Sequence, residues 1–137
     1  MPCPWFWPTR PLEDGRWAVP PRLPLIDPWE GECRAGDEPA FPDNETVRTR
    51  CNSGYARGAC GRFTEGHGDA VRFHVLAEGP GSLRILYCRE RDCWPAEHGA
   101  IDYDVRAVRA ECADELLRRQ AEAFAAGYLR RTGAAHE

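Results

Sequence analysis

The chain has 137 residues and a formal net charge of −4, which points to one domain with its own core rather than to several catalytic domains. Leu, Ile, Val and Phe account for only 23 residues, so the aliphatic core is small for this length. The net charge is too low for a charged disordered coil, and no segment carries the basic excess that a nucleic-acid groove requires.

The N-terminal third is rich in proline and tryptophan. Residues 1–46 hold ten of the twelve prolines and four of the five tryptophans. Because proline fixes φ and lacks an N–H donor, we expect little regular structure here. The bulky rings predict an ordered coil that wraps the domain, with a disordered proline-rich arm as the alternative. The expected anchors are Trp5, Phe6, Trp7, Trp17, Trp29 and Phe41.

The first residues have neither a basic n-region nor an apolar h-region, which argues against a signal peptide. No stretch approaches the roughly 20 apolar residues of a membrane span. We therefore expect a cytoplasmic protein, in which thiols stay reduced. In that compartment, a set of cysteines in a loop-rich chain indicates metal binding or catalysis before it indicates disulfides.

The middle of the chain combines loops with a hairpin. Residues 47–63 are rich in Cys, Gly and Arg, and their glycines favour tight loops. Apolar and polar residues then alternate over 71–75 and, more loosely, over 83–87, with Gly79-Pro80-Gly81 as the turn. This pattern predicts an antiparallel hairpin, and a short third strand is expected near residues 100–103. The side chains expected to face inward are Val71, Phe73, Val75, Leu83, Ile85 and Tyr87.

Residues 104–131 predict one long helix, because they contain no proline and place apolar residues at three- and four-residue spacing. Asp104 is the candidate N-cap. The helix should pack across the hairpin and leave its Arg/Glu face in water. The apolar stripe comprises Val105, Val108, Cys112, Leu116, Leu117, Ala121, Phe124 and Tyr128.

Seven cysteines are an odd number and fall below the density of a secreted disulfide scaffold. Cys112 lies on the predicted helix stripe, which favours a plain core position. Cys88 ends a strand and Cys93 follows in a charged turn, and their spacing would allow a fourth ligand or a disulfide. The other four lie in irregular Gly- or Pro-flanked chain and are the candidate metal ligands: Cys3, Cys33, Cys51 and Cys60.

Four thiolates are the ligand set of a tetrahedral zinc or of a four-iron cluster. Zinc ribbons and fingers present two short Cys pairs, whereas this chain has at most one, Cys88-x4-Cys93. Dispersed ligands therefore favour a 4Fe–4S cluster, with structural zinc or no metal as alternatives. An arginine run without acids flanks two of the cysteines and would offset the negative charge of the site, unless it is a solvated face: Arg48, Arg50, Arg57 and Arg62.

Several short motifs accompany these cysteines. They are Cys3-Pro4-x-Phe6, Pro11-Leu12, Pro21-Arg22-Leu23-Pro24-Leu25, Gly31-x-Cys33, Cys51-Asn52-x-Gly54-Tyr55-Ala56, Cys60-x-x-Phe63 and Asp69-Ala70-Val71-Arg72-Phe73. Over roughly residues 1–105 this set resembles an uncharacterised family of small bacterial proteins with four recurrent cysteines. The resemblance supports the choice of ligands and implies no established activity. Cys88 and Cys93 depart from that pattern.

The sequence thus predicts a single α+β domain, residues 1–137, in which an irregular cysteine region (1–68) precedes a hairpin or three-stranded sheet and a long C-terminal helix (69–137). The favoured function is a cytoplasmic iron–sulfur protein that carries electrons or serves a larger complex, with a protein partner and without nucleic acid. A zinc-stapled interaction module is the alternative. Because His67 and His74 lack a partner pattern and no catalytic motif is present, no catalytic residue is assigned and a thiol-dependent enzyme ranks third.

Overall fold

The computed structural model describes residues 3–11, 29–34, 40–41, 70–92 and 94–132. These residues form two antiparallel sheets and one C-terminal helix, which is the α+β class expected from the sequence. One sheet pairs the first two strands, and the other has four strands in the order β3-β4-β5-β6. The elements are β1 (Phe6–Pro11), β2 (Trp29–Cys33), β3 (Ala70–Gly79), β4 (Ser82–Arg91), β5 (Trp94–Asp104), β6 (Arg109–Glu111) and α1 (Glu115–Thr132).

The four-stranded sheet follows the alternation of its sequence. Phe73 on β3 and Ile85 on β4 are buried on the face that α1 covers, as predicted, while their neighbours along each strand point away from the helix. The turn between the two strands is Pro80-Gly81, and Gly81 has a φ of 75°, which favours glycine. The third strand, expected only near residues 100–103, is longer and becomes β5.

The helix begins at Glu115, so the expected start near residue 104 is wrong. Residues 109–111 pair with the end of β5 as β6, and this tertiary pairing prevails over the local helical pattern. Asp104 caps a turn instead of a helix, because its Oδ1 accepts the N–H groups of Arg106 (2.9 Å) and Ala107 (3.1 Å). The helix N-cap is Asp114, whose Oδ1 accepts the N–H of Leu117 at 3.1 Å.

Side chains from the sheet and from α1 form one core. Phe124 on the helix stacks on Phe73 of β3, with ring centroids 5.6 Å apart. Ala121 and Ala125 are fully buried and allow the helix to approach closely. Cys112 precedes the helix and is half-buried against this core, so it is not the fully buried helix residue that the spacing predicted.

Polar contacts attach two strands of the sheet, β4 and β6, to α1. Arg89 on β4 donates to Oδ2 of Asp114 at 2.7 Å, so the N-cap of the helix is tied to the sheet. Glu122 is buried on the helix, accepts the N–H of Ala110 in β6 at 3.1 Å and pairs with Arg118 at 3.0 Å. The expectation that the Arg/Glu face of the helix lies in water is therefore wrong for Glu122 and Arg118.

The proline-rich N-terminal region is more regular than expected. Phe6–Pro11 and Trp29–Cys33 pair as strands, because a two-stranded sheet leaves one edge of each strand open, where proline needs no donor. Phe6 and Trp29 are buried anchors, as predicted, whereas Phe41 is 81% exposed. Trp17 lies outside the described residues.

No helix among the described residues is long and apolar enough to cross a membrane.

Candidate functional site

Cys3 and Cys33 are brought to the same end of the β1–β2 hairpin. The N–H of Phe6 donates to the carbonyl oxygen of Cys3 at 3.0 Å and closes a turn, while Phe6 is also the strand partner of Cys33. A turn spans less than about 7 Å and a strand pair about 5 Å, so the two cysteine α-carbons lie within about 12 Å of each other. This proximity makes the two cysteines candidates for ligands of a common centre.

Cys33 is oriented by the pairing of the two strands. Directly opposed residues in an antiparallel pair share a face, so Cys33 lies on the same face as the fully buried Phe6. Beyond β2 the chain stays beside the N-terminal turn, because Arg34 donates its N–H to the carbonyl oxygen of Trp5 at 2.9 Å. The backbone of Cys33 also pairs with Ala40 through hydrogen bonds of 2.7 and 2.9 Å.

Gly31 explains the spacing of the Gly31-x-Cys33 motif. A Cβ at this position would lie 2.9 Å from the Cα of Pro8 and from a ring carbon of Phe6, and closer still to the carbonyl oxygen of Trp7. Only glycine therefore allows β1 and β2 to approach at this point. Strand packing therefore requires the glycine of this motif. Cys33 follows two residues later on the same strand.

Both thiols are buried and neither forms a disulfide. Cys3 is 9% exposed and belongs to the hydrophobic core cluster, and Cys33 is 8% exposed and is the strand partner of Phe6. Phe6 and Trp29 are buried in the same cluster, and Trp5 is half-buried against it. Aromatic side chains exclude water, and the exclusion of solvent is one way in which a protein tunes the reduction potential of a metal centre.

Gln120 of α1 holds the turn that contains Cys3. Its Nε2 donates to the carbonyl oxygens of Cys3 and Phe6, both at 2.8 Å, and the side chain is buried. Because both partners are acceptors, the amide orientation is settled: nitrogen must face the turn. The Oε1 of Gln120 is buried without a hydrogen-bond partner among the described residues. Such an acceptor calls for a donor, which a protonated thiol or an ordered water can supply.

Arginines place positive charge around the hairpin. Arg119 donates to the carbonyl oxygens of Pro8 (2.7 Å) and Thr9 (3.1 Å), and its guanidinium stacks over Trp29 at 5.3 Å. Burial lowers the pKa of Arg119 from its ordinary value, an effect opposed by nearby Glu122. Arg34 lies 3.6 Å from the ring centre of Trp7. Arg34 is also ion-paired with Glu32 at 3.5 Å and Arg119 with Glu122 at 3.8 Å, so the positive charge of both guanidiniums is partly offset.

The remaining cysteines fall into two groups. Cys51, Cys60 and Cys93 lie outside the described residues, as do the four arginines that flank the first two. Cys88 is on β4, opposite His98, on the face of the sheet turned away from α1. Among the described residues no three His, Cys, Asp or Glu side chains are arranged to hold a metal ion, so neither Cys88 nor Cys112 completes a site with Cys3 and Cys33.

The sequence reasoning missed Gln120 and Arg119. A signal was present, because Gln120 lies three residues after Leu117 and four before Phe124, so it interrupts the buried stripe of the helix. His74 is exposed on the outer face of β3, in agreement with its expected position on the polar side of a strand.

Comparisons with known proteins give no relative for this arrangement. No family model matches the chain, and neither a curated protein nor a solved structure matches it. The candidate function therefore depends on the residues described above.

Proposed function

We propose that this chain is a small iron–sulfur protein of the cytoplasm that carries electrons or serves as the redox subunit of a complex. The proposed ligands of a 4Fe–4S cluster are Cys3, Cys33, Cys51 and Cys60. The observation that carries the proposal is that the Cys3–Phe6 turn and the pairing of Phe6 with Cys33 bring two buried cysteines, 30 residues apart in the chain, to the same end of the β1–β2 hairpin. When bound, such a cluster accepts and releases a single electron in exchange with protein partners.

The contribution of the chain itself is to bind, shield and neutralise. Cys3 and Cys33 offer sulfur ligands once their protons are released, and that release makes metal affinity depend on pH. Phe6 and Trp29 pack in the same cluster as Cys3 and keep water away, and Arg119 and Arg34 contribute positive charge that Glu122 and Glu32 partly offset. Because these two thiols come from different segments rather than from a short Cys pair, the site differs from a zinc knuckle.

A zinc-stapled interaction module is the second candidate, and the hairpin itself favours it. A two-stranded hairpin is marginally stable in water, so β1–β2 gains from any cross-link near Cys3 and Cys33. In that version the exposed Trp94, 75% accessible at the start of β5, would contact the partner protein. The helix offers less surface for a partner, because most of its residues are buried or half-buried.

Metal analysis and the visible spectrum of anaerobically purified protein test the proposal. A brown sample with broad thiolate-to-iron absorption, about four irons and equivalent sulfide per chain is the expected result. A colourless sample with one zinc per chain would replace the cluster by the structural module. Absence of both metals, in protein purified without chelators, would overturn both candidates.

Replacement of single cysteines identifies the ligands. Cys3→Ser, Cys33→Ser, Cys51→Ser and Cys60→Ser should each release the metal and destabilise the fold, because metal binding contributes to folding. Cys88→Ser and Cys112→Ala are the matched controls, since among the described residues neither side chain completes a metal-binding group with Cys3 and Cys33. Equal metal content in all six variants would contradict the ligand assignment.

A further inference from the structure

Two adjacent residues of α1 donate hydrogen bonds to different parts of the β1–β2 hairpin. Gln120 donates to the carbonyl oxygens of Cys3 and Phe6, and Arg119 donates to those of Pro8 and Thr9. Each residue therefore supplies two hydrogen bonds to the N-terminal segment. Only those of Gln120 fall on the turn that carries a candidate ligand.

The environment of Gln120 differs from that of Arg119 as well. Gln120 is 1% exposed, whereas the side chain of Arg119 is 23% exposed. A buried glutamine whose oxygen lacks a partner among the described residues is costly, since an unsatisfied acceptor loses its bond to water without replacement. Packing alone would be served better by leucine or methionine at this position. The cost is understandable if the two donated hydrogen bonds fix something that packing cannot fix.

We infer that Gln120 is the positioning residue of the cysteine centre: it fixes the main chain of the Cys3–Phe6 turn so that the thiol of Cys3 is held beside Cys33. This inference rests on the proposed function for its consequence, metal binding, but the fixing of Cys3 is a property of the chain alone. Cys33 needs no such anchor, because strand pairing with Phe6 and backbone bonds to Ala40 already hold it.

Metal affinity provides the first test. Full-length wild-type protein, Gln120→Leu, Gln120→Glu and Arg119→Met are titrated with Co(II) against a competing chelator, since the thiolate-to-cobalt absorption reports the number of bound thiolates. Gln120→Leu should weaken binding about tenfold, the ratio that corresponds to the loss of one or two neutral hydrogen bonds. The intensity of its thiolate-to-cobalt absorption should fall by the amount that one thiolate ligand contributes. Arg119→Met should retain the full band.

The Gln120→Glu variant separates the effect of the hydrogen-bond donor from that of the side-chain shape. Gln120→Glu keeps the size of the side chain but removes the donor, so it should lose the Cys3 ligand as Gln120→Leu does. Equal effects of Gln120→Leu and Arg119→Met on the cobalt band would mean that both merely hold the hairpin, and would overturn the inference. Unchanged binding in every variant would overturn it too.

Alkylation of the metal-free protein gives a second test that needs no metal. Iodoacetamide labelling, followed by peptide mass spectrometry, measures the rate at each cysteine. Cys3 should be labelled about tenfold faster in Gln120→Leu than in Arg119→Met, while Cys88 should be labelled equally in both. If wild-type protein binds no metal and Cys3 still shows this difference, the proposed function fails and the positioning role stands. Equal labelling of Cys3 in both variants removes the positioning role.

Discussion

The two sheets of this protein are built on different principles. The four-stranded sheet is held by alternating apolar side chains, such as Phe73 and Ile85, which pack against one face of α1. The β1–β2 hairpin contains prolines and only a few residues in each strand, and it is held by a glycine contact and by donors from the helix. Phe6 and Trp29 of the hairpin join the same core as the four-stranded sheet, so the two sheets share one helix and differ in how they are held against it.

The largest expected effect comes from the sheet. Ile85→Ala removes a fully buried side chain at the centre of β4 and should lower the free energy of unfolding by about 4 kcal/mol, through lost transfer energy and a residual cavity. Urea denaturation measures the change. Leu86→Ala, on the opposite face, is the control and should cost clearly less. A cost below about 1 kcal/mol for Ile85→Ala would show that this sheet does not carry the core.

The hairpin should fail locally rather than globally. Gly31→Ala places a Cβ against backbone atoms of β1, so it should cost about 3 kcal/mol of overpacking and separate Cys3 from Cys33. Hydrogen exchange should rise in β1 and β2 while β4 remains protected. Gly99→Ala is a matched control, because its Cβ meets only the ring of Tyr87, which can move. Normal protection of β1 in Gly31→Ala would contradict the close approach of the strands.

Alkaline pH should destabilise the core of the four-stranded sheet. Tyr103 is buried, and burial, with the charge of Glu122 as a smaller cause, raises the pKa of its phenol above the ordinary value. The unfolded chain then loses the phenolic proton first, so stability is complete below about pH 10 and falls as pH rises toward the folded pKa. Tyr103→Phe should flatten this fall. Urea midpoints at pH 7 and pH 11 measure it, and an identical slope in both proteins would contradict the assignment.

The smallest expected effect is an increase in the free energy of unfolding. Val108 has a φ of 53° and is 62% exposed in the turn before β6, so its β-branched side chain is strained there without being buried. Val108→Gly should raise the free energy of unfolding by about 0.5 kcal/mol, the relief of strain less the entropy of glycine. Ala107→Gly, one residue earlier and without a positive φ, should lower it. Thermal unfolding compares the two, and a loss in both would mean that Val108 carries no strain.

The sequence predicted the sheet well because a strand pattern of period two is local. Val71, Phe73, Leu83 and Ile85 could be assigned to the core from their alternation alone. The start of the helix could not be predicted, since Arg109–Glu111 have no strand pattern and form β6 only through pairing with β5. The same limit applies to β1 and β2, where prolines argued against strands and the paired residues lie 18 to 27 positions apart in the chain.

The candidate site was predictable as a set of residue types but not as a place. The irregular sequence around Cys3 and Cys33 made them candidate ligands. Their location at the same end of the hairpin follows only from the pairing of Phe6 with Cys33. Gln120 was hidden because its contact spans 117 positions in the chain. No periodicity within a single helix reveals a hydrogen bond to a turn near the other end of the protein.

The span of that contact has a consequence for synthesis on the ribosome. Cys3 and Cys33 are synthesised before Gln120, which follows Cys3 by 117 positions in the chain. An isolated two-stranded hairpin has little stability of its own, so the N-terminal thiols stay accessible until Gln120 leaves the exit tunnel. The two thiols therefore become buried only when α1 docks, at a time set by the order of the elements along the chain.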